Sequence, residues 1–203
     1  MGTLDYYNQH ADEFCAGTVH ADMSSLYGPF ERLLPAGGHV LDAGCGSGRD
    51  SLHFLRAGYQ VTAFDGSSEL AARASRLTGL PVRCMTFDQV SEVGAYDGIW
   101  ACSSLLHLSP AELRATLPRL VSALRPGGVF YASFKYGTFC GERNGRHFTD
   151  LTEDSLVRIF CADGSLRPLD LRVTHDVRPG RESEPWLNAL RGRESGAQVP
   201  GGR

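Results

Sequence analysis

The hydrophobic positions of the chain fall into short runs separated by segments of helical periodicity. Seven runs have the length and apolar content of strands: His39–Ala43, Gln60–Phe64, Pro81–Thr86, Tyr96–Ala101, Val129–Phe134, Leu169–Val177 and Trp186–Leu190. The turn Arg178–Arg181 joins the last two runs, so we expect that pair to be an antiparallel hairpin. Strands that alternate with helices predict an α/β fold.

Helices are predicted between the strands and ahead of the first one. They are Tyr6–Phe14, Ser24–Leu34, a segment from Asp50 that stops at Gly58, Ser67–Leu77, Pro110–Leu124 and Thr149–Phe160. Pro118 lies inside the fifth helix and should kink or divide it. We expect a single domain over residues 1–191, with residues 1–38 as a helical lid. Residues 192–203 have no apolar pattern and are expected to form a disordered tail.

Composition narrows the class of protein. With 203 residues, 42% of them hydrophobic, the chain can bury a substantial core. A net charge of −3 gives no reason to expect a nucleic-acid partner. No apolar run reaches the roughly 20 residues of a membrane span, and the polar start lacks a signal-peptide core. We therefore expect a cytoplasmic monomer or homodimer that does not bind membranes.

The cysteines carry information about metals and compartment. The six cysteines contain no C-x-x-C pair, which argues against a zinc site and against a disulfide framework. We expect no metal, and a reducing compartment suits this cysteine usage.

A glycine-rich loop follows the first strand. Its three glycines stand at alternate positions: Gly44, Gly46 and Gly48. The dinucleotide fingerprint has a different spacing, G-x-G-x-x-G, and here the bulk of Arg49 would crowd a pyrophosphate. With Asp42 ahead of it, the loop suits a ligand without phosphate that carries an amino group and a carboxylate. Asp65 ends the second strand and can accept hydrogen bonds from two ribose hydroxyl groups.

A second polar segment, Cys102–Pro110, leaves the carboxyl end of the fourth strand, where ligands lie in open α/β sheets. His107 in this segment has two interpretations. It is either a side chain at a helix end, hydrogen-bonded to backbone, or a substrate contact and general base, because imidazole titrates near neutral pH. Both interpretations place His107 near the pocket.

The connection Lys135–Phe148 is long, basic and aromatic, and we expect it to be irregular. It leaves the carboxyl end of the fifth strand, and loops in that position often carry specificity. Its basic residues are Lys135, Arg143, Arg146 and His147. They predict a site for an anionic substrate, since arginine donates in a bidentate manner. The alternative is a solvated loop whose charges have no specific role.

The run Asp42-Ala-Gly-Cys-Gly-Ser-Gly48, followed by Ala63-Phe-Asp65-Gly-Ser67, resembles motif I and the next acidic motif of class I S-adenosylmethionine (SAM) methyltransferases. The resemblance implies a Rossmann-like seven-stranded sheet, mostly parallel with an antiparallel last strand and helices on both faces. It also implies SAM as cofactor and S-adenosylhomocysteine (SAH) as product. The positions that match cofactor-binding residues of the family are Tyr6, Asp42, Gly44, Gly46, Arg49, Asp65, Gly66, Ser67, Asp88, Gln89 and Cys102.

The paired tyrosines Tyr6 and Tyr7, with Ala11 and Phe14 after them, are similar to an N-terminal segment that covers the active site in family members acting on small molecules. The resemblance implies a lid in which Tyr7, together with His107, is a catalytic residue. The alternative is an amphipathic helix that packs its rings on the edge of the sheet.

Within the family, the runs Gly48-Arg-Asp-Ser51, Ala101-x-Ser-Ser-Leu-x-His107 and Tyr131-Ala-Ser-Phe-Lys135 resemble small bacterial tellurite-resistance methyltransferases. That group methylates tellurium or selenium oxyanions and other small soft nucleophiles. The resemblance implies a small-molecule acceptor, which Lys135, Arg143 and Arg146 would hold. Two alternatives on the same fold are a non-catalytic SAM-binding regulator and a nucleotide-binding oxidoreductase, and the missing third fingerprint glycine counts against the latter.

Overall fold

The computed structural model describes residues 2–194, and nine strands lie within them. They are β1 His39–Ala43, β2 Gln60–Asp65, β3 Arg83–Cys84, β4 Tyr96–Ala101, β5 Leu124–Lys135, β6 Cys140–Arg143, β7 Arg146–Thr149, β8 Leu166–His175 and β9 Pro185–Arg193.

Seven of these strands form one sheet in the order β3–β2–β1–β4–β5–β9–β8. The pairs among β1 to β5 are parallel, and β9 runs antiparallel to both of its neighbours. This confirms the predicted Rossmann-like sheet and the predicted β8–β9 hairpin. The chain leaves β1 toward β2 on one side and later returns to place β4 on the other. A ligand crevice is expected at such a reversal, beyond the carboxyl ends of β1 and β4.

Seven α-helices surround the sheet: α1 Thr3–Gln9, α2 Ala11–Thr18, α3 Ser24–Glu31, α4 Arg49–Arg56, α5 Ser68–Thr78, α6 Pro110–Ala123 and α7 Glu153–Phe160. The single helix predicted over Tyr6–Phe14 is wrong, because the chain breaks at His10 into α1 and α2. The backbone N–H and the ring Nδ1–H of His10 both donate to the carbonyl of Tyr6, so this residue ends the first helix.

Other differences are local. Pro118 does not divide α6, whose flanking residues Leu117 and Leu120 are buried. β3 is only two residues long, because the backbone N–H of Thr86 turns away to the side chain of Gln89. β5 begins at Leu124, ahead of the predicted start at Val129, with a register shift against β4.

The connection after β5 contains a second, two-stranded sheet, so the prediction of an irregular loop is wrong. β6 and β7 pair antiparallel, with Arg143 opposite Arg146. The two residues between them, Asn144 and Gly145, have φ of +52° and +75°. An Asn-Gly pair with both φ angles positive is the favoured two-residue hairpin turn, and it stands in the sequence as a signal for this hairpin.

The apolar core lies on both faces of the large sheet. One face packs Ile99 and Phe130 under α6 and α7, and the other packs Trp100 under Phe30 and Phe54 of α3 and α4. None of the helices within residues 2–194 is both long and apolar enough to cross a bilayer. β9 continues to Arg193, beyond the predicted boundary at 191, and positions 195–203 of the predicted tail lie outside the described residues.

Candidate active site

The glycine-rich loop after β1 is a tight cradle. Gly44 and Gly46 have φ of +77° and +55°, a region that L side chains rarely adopt. A Cβ on Gly44 would lie 2.5 Å from the Cβ of Ser104, and one on Gly46 would lie 3.0 Å from the ring of Phe14. The loop can pack this closely against Ser104 and Phe14 only because both positions lack a side chain.

Asp65 stands at the end of β2, beside that loop. Its Oδ2 accepts from the backbone N–H of Gly46 and its Oδ1 from that of Ser67, both at 2.8 Å. Burial raises the pKa of Asp65, and the two backbone donors oppose that effect. Each carboxylate oxygen is thus fixed by one donor and keeps a lone pair, so it can accept a hydrogen bond from a ligand hydroxyl.

A cavity of about 730 Å³ opens at the carboxyl ends of β1 and β4. The structure brings most of the predicted site residues to its wall: Tyr7, Gly44, Gly46, Arg49, Asp65, Gly66, Asp88, Cys102, His107, Lys135, Arg143 and Arg146. Five predicted residues do not line it: Tyr6, Asp42, Ser67, Gln89 and His147.

Asp42, which was predicted as a cofactor-binding residue, is buried near the end of β1 and does not line the cavity. It is 1% exposed, and its Oδ2 accepts a hydrogen bond of 2.6 Å from the hydroxyl of Ser51. Burial first, and then the nearby charge of Asp50, raise the pKa of Asp42 to about 8. The side chain therefore supports the loop from inside the protein.

Ser67 and Gln89 do not line the cavity either: Ser67 caps the start of α5, and Gln89 caps the 3₁₀ turn Phe87–Gln89. The hydroxyl of Ser67 accepts from the backbone N–H of Leu70 and donates to the side chain of Asn8. The amide oxygen of Gln89 accepts from the backbone N–H of Thr86 at 2.8 Å. Serine and glutamine commonly take these capping roles.

Arg49 and Cys102 face the cavity near the glycine loop. The Nε and Nη2 groups of Arg49 donate to the two carboxylate oxygens of Asp50, at 2.6 and 2.9 Å. The Sγ of Cys102 lies 3.9 Å from Nη2 of Arg49. Burial is the main cause that raises the pKa of Cys102, to about 12, so this side chain remains a thiol at neutral pH.

Tyr7 and His107 form a hydrogen-bonded pair in the cavity wall. The Nδ1 of His107 lies 2.7 Å from the carbonyl oxygen of His147, so Nδ1 carries the proton and donates. Burial is the largest cause that lowers the pKa of His107, to about 4, which keeps the ring neutral at pH 7. Its Nε2 is therefore an acceptor, and the hydroxyl of Tyr7 donates to it at 2.8 Å.

Tyr6, which was predicted as a cofactor-binding residue, does not line the cavity. Its ring stacks on that of His10, with 4.3 Å between centroids, and the guanidinium of Arg146 lies 4.4 Å from the Tyr6 centroid. The packing interpretation therefore fits Tyr6, whereas Tyr7 faces the cavity.

The basic residues of the cavity wall are mostly paired with acids. Lys135 pairs with Glu184, and Arg143 pairs with Asp150 at 2.8 Å. Arg146 has no carboxylate within 4.0 Å among residues 2–194. Its Nη1 donates to the Tyr7 hydroxyl at 3.4 Å, and its buried Nε has no hydrogen-bond acceptor in the same range. One unneutralised guanidinium thus stands beside the Tyr7–His107 pair.

Sequence reasoning missed the part of the wall formed by the end of the β8–β9 hairpin, which includes Asp176, Arg178, Glu184, Trp186 and Asn188. The hydroxyl of Ser133, on β5, was missed as well, and it accepts from the backbone N–H of Ser103 at 2.8 Å. The only sequence signal for the hairpin residues was the charge density around the predicted turn Arg178–Arg181.

The chain matches known proteins along much of its length. A family model described as a methyltransferase domain matches residues 40–128. The ubiquinone biosynthesis O-methyltransferase of Xanthomonas axonopodis pv. citri (strain 306) is 36% identical over 183 residues, covering 79% of this chain and 72% of that relative.

Two solved structures share the fold. The 1,6-didemethyltoxoflavin-N1-methyltransferase of Burkholderia thailandensis, with bound 1,6-didemethyltoxoflavin and SAH, has a TM-score of 0.72 at 24% identity, covering 94% of this chain and 85% of that one. The N-methyltransferase NodS of Bradyrhizobium japonicum WM9, in complex with SAH, has a TM-score of 0.71 at 18% identity, covering 92% of this chain and 97% of that one.

Proposed function

Because the chain belongs to the SAM-dependent methyltransferase family, we propose that it methylates an oxygen atom of a small acceptor that carries an acidic hydroxyl group. A phenol or an enol is the acceptor class with this chemistry. The observation that carries the proposal is the Tyr7–His107 pair in the cavity wall, with its hydroxyl-to-Nε2 distance of 2.8 Å.

The glycine-loop end of the cavity fits SAM. Gly44 and Gly46 leave no room for a Cβ, Asp65 offers two anchored carboxylate oxygens, and Arg49 adds a guanidinium. When bound, SAM supplies a methyl group made electrophilic by a positively charged sulfur. These residues would hold and orient the cofactor by hydrogen bonds.

Tyr7 and His107 provide a route for the proton that the acceptor hydroxyl must lose. The Tyr7 hydroxyl donates to Nε2 of His107, so its own lone pairs can accept from an acceptor O–H. As the acceptor proton moves to Tyr7, the Tyr7 proton moves to Nε2, and the imidazole becomes an imidazolium. Burial raises the pKa of Tyr7, so it is a neutral hydroxyl before the reaction.

Arg146 supports the same step electrostatically. It has no carboxylate partner within residues 2–194, and it donates toward the Tyr7 hydroxyl. Negative charge develops on the acceptor oxygen as its proton leaves. A fixed guanidinium beside the reacting oxygen stabilises such charge more than freely reorienting solvent would.

A second candidate acceptor is an oxyanion of tellurium or selenium. Arg146 favours it, because an unpaired guanidinium also binds a preformed anion. An oxyanion with a lone pair on selenium or tellurium loses no proton, so the Tyr7–His107 pair has no role for it. Lys135 and Arg143 add little to this candidate, since Glu184 and Asp150 neutralise them.

A panel of acceptors tests the proposal. Methyl-labelled SAM is incubated with the protein and small phenols, enols, thiols, selenite or tellurite, and the labelled products are identified. We expect labelled methyl ethers of phenols or enols. Turnover of selenite or tellurite, with none of the hydroxyl compounds, would replace the proposal by the oxyanion candidate.

A further inference from the structure

We propose that Tyr27, on α3, is a positioning residue that acts through Asp50 to orient Arg49 toward the carboxylate of the cofactor's methionine part. The proposal depends on the use of SAM and not on the identity of the methyl acceptor. It assigns a role in cofactor binding to a residue outside the glycine loop and its neighbouring strands.

The carboxylate of Asp50 is the centre of a buried network of side chains. It accepts from Arg49 twice, from the Tyr27 hydroxyl at 2.5 Å and from Nε1 of Trp100 at 2.9 Å. Asp50 is only 5% exposed. Burying a carboxylate costs free energy unless hydrogen-bond donors satisfy it. Here three side chains donate hydrogen bonds to Asp50.

The network fixes the plane of the Arg49 guanidinium. Asp50 engages Nε and Nη2 in a fork, and Nη1 donates to the carbonyl of Thr18 at 3.3 Å. Within residues 2–194, the second hydrogen of Nη1 has no acceptor, and that of Nη2 has only the Cys102 sulfur nearby, at 3.9 Å. Arg49 therefore keeps N–H groups at the cavity wall that can donate to a ligand.

Arg49 is the basic residue nearest in sequence to the glycine loop, since α4 begins with it. The other arginines and the lysine of the wall belong to β5, the β6–β7 hairpin and the β8–β9 turn. A carboxylate bound beside the loop would have Arg49 as the basic residue of the neighbouring helix start. Because Asp50 already neutralises Arg49, this contact depends on the direction of the N–H groups more than on net charge.

The Tyr27 hydroxyl can influence the orientation of the Arg49 guanidinium, and other contacts hold the Tyr27 ring in place. Its ring stacks on His53 with 3.7 Å between centroids, and His53 pairs with Glu31 at 2.8 Å. The ring also packs against Phe54 and Trp100. Removal of the hydroxyl alone leaves these contacts and takes one of the donors from Asp50.

The test compares two ligands in a binding measurement. Calorimetry is run with SAH and with its decarboxylated analogue, which keeps the adenosine, the sulfur and the amine. We expect Tyr27→Phe to weaken SAH binding about fivefold to tenfold and to change the affinity for the analogue by less than about twofold. Arg49→Lys should show the same selectivity, and adding Tyr27→Phe to it should cost little more, because the two act in series.

Tyr59→Phe is the matched control. Tyr59 packs on Phe54 in the same cluster, and its hydroxyl donates to the carbonyl of Glu31 rather than to Asp50. Both ligands should bind this variant as they bind the unmodified protein. Asp50→Asn is a second test of the same network, and it should also weaken SAH selectively.

The outcomes are distinct. Equal weakening of SAH and of the analogue by Tyr27→Phe would mean a purely structural role and would overturn the proposal. Unchanged affinity for both ligands would overturn it as well. No acceptor enters the measurement, so its result is independent of whether a phenol, an enol or an oxyanion is methylated.

Discussion

His107 is the single side chain whose state matters most to the proposed chemistry. Its Nδ1–H is held by the carbonyl of His147, and its Nε2 is left to accept from Tyr7. The lowered pKa, about 4, means that this arrangement is complete at neutral pH. A protonated Nε2 could not accept from Tyr7, so the pair requires the neutral ring.

The same lowered pKa predicts a pH dependence of stability. The ordinary pKa of histidine is 6.5, so the unfolded chain protonates at His107 before the folded chain does. Protonation of His107 therefore leaves the free energy of unfolding unchanged above about pH 6.5 and lowers it as the pH drops toward about 4. Between pH 7 and pH 5, the unmodified protein should lose about 2 kcal/mol more than His107→Gln does. Urea unfolding of both proteins at the two pH values measures the difference, and equal losses would contradict the prediction.

The two acids next to the glycine loop are predicted to differ in function. Asp65 lines the cavity, whereas Asp42 lies under the loop with its oxygen bound to Ser51. Asp65→Asn should weaken SAH by about tenfold or more, the loss expected for hydrogen bonds to a charged group. Asp42→Asn should change SAH affinity by less than about threefold. Calorimetric titration of SAH into the two variants measures both losses of affinity. A larger loss for Asp42→Asn than for Asp65→Asn would show that Asp42 reaches the ligand.

At the scale of the elements, α1 lies across the cavity and is tied on both sides. On the cofactor side, Asn8 accepts from the hydroxyl of Ser67 at 2.7 Å. On the acceptor side, the hydroxyl of Thr3 accepts from the backbone N–H of His147 at 3.0 Å, and Tyr7 bonds to His107. The helix itself buries no residue completely. It is therefore held by polar contacts and by the ring contacts of its two tyrosines rather than by a buried core.

We predict that ligand binding orders this helix. Segments held by few buried contacts open locally at low cost, and a bound ligand that contacts them reduces that opening. Hydrogen exchange of residues 2–30 should slow when SAH is added, whereas exchange in α7, which lies away from the cavity wall, should not change. Equal exchange of residues 2–30 with and without SAH would leave α1 with a packing role only.

The β6–β7 hairpin places two arginines with different surroundings in the wall. Arg143 is paired with Asp150, and Arg146 has no acid partner within residues 2–194. Arg146→Lys should raise the KM for the methyl acceptor about tenfold and leave SAM affinity unchanged, because lysine cannot keep the bidentate geometry. Arg143→Lys, in the same hairpin, is the matched control and should change this KM little. Steady-state kinetics and SAM titration provide both numbers, and an unchanged KM in Arg146→Lys would make it a packing residue.

For the whole molecule, the proposed cofactor half and the proposed acceptor half of the cavity differ in origin. The cofactor half comes from β1, β2 and β4, whose strand and loop patterns are local in sequence. These elements could be predicted almost to the residue, since an apolar run followed by glycines limits the backbone strongly. The acceptor half comes from α1, the β6–β7 hairpin and the β8–β9 turn, which meet only in the folded chain.

That difference explains which site residues the sequence could and could not assign. Lys135 was predicted as a substrate-binding residue, and the acid that pairs with it, Glu184, is 49 residues away along the chain. Asp42, Ser67 and Gln89 have the right type and position for ligand contacts, yet each satisfies a hydrogen-bonding group of the protein itself. The direction of a side chain depends on such neighbours, which sequence spacing does not show. The Asn144-Gly145 pair is a recognisable turn sequence, so the β6–β7 hairpin could have been predicted from it.

The central claim is that Tyr7, bound to His107, takes the acceptor's proton during methyl transfer. Steady-state kinetics of Tyr7→Phe with a hydroxyl acceptor test it most directly, with Tyr6→Phe as the matched neighbour that faces away from the cavity. The claim predicts a kcat about a hundredfold lower for Tyr7→Phe, SAH affinity changed by less than about threefold, and a kcat for Tyr6→Phe close to that of the unmodified protein. An unchanged kcat in Tyr7→Phe, with the hydroxyl acceptor still methylated, would contradict it.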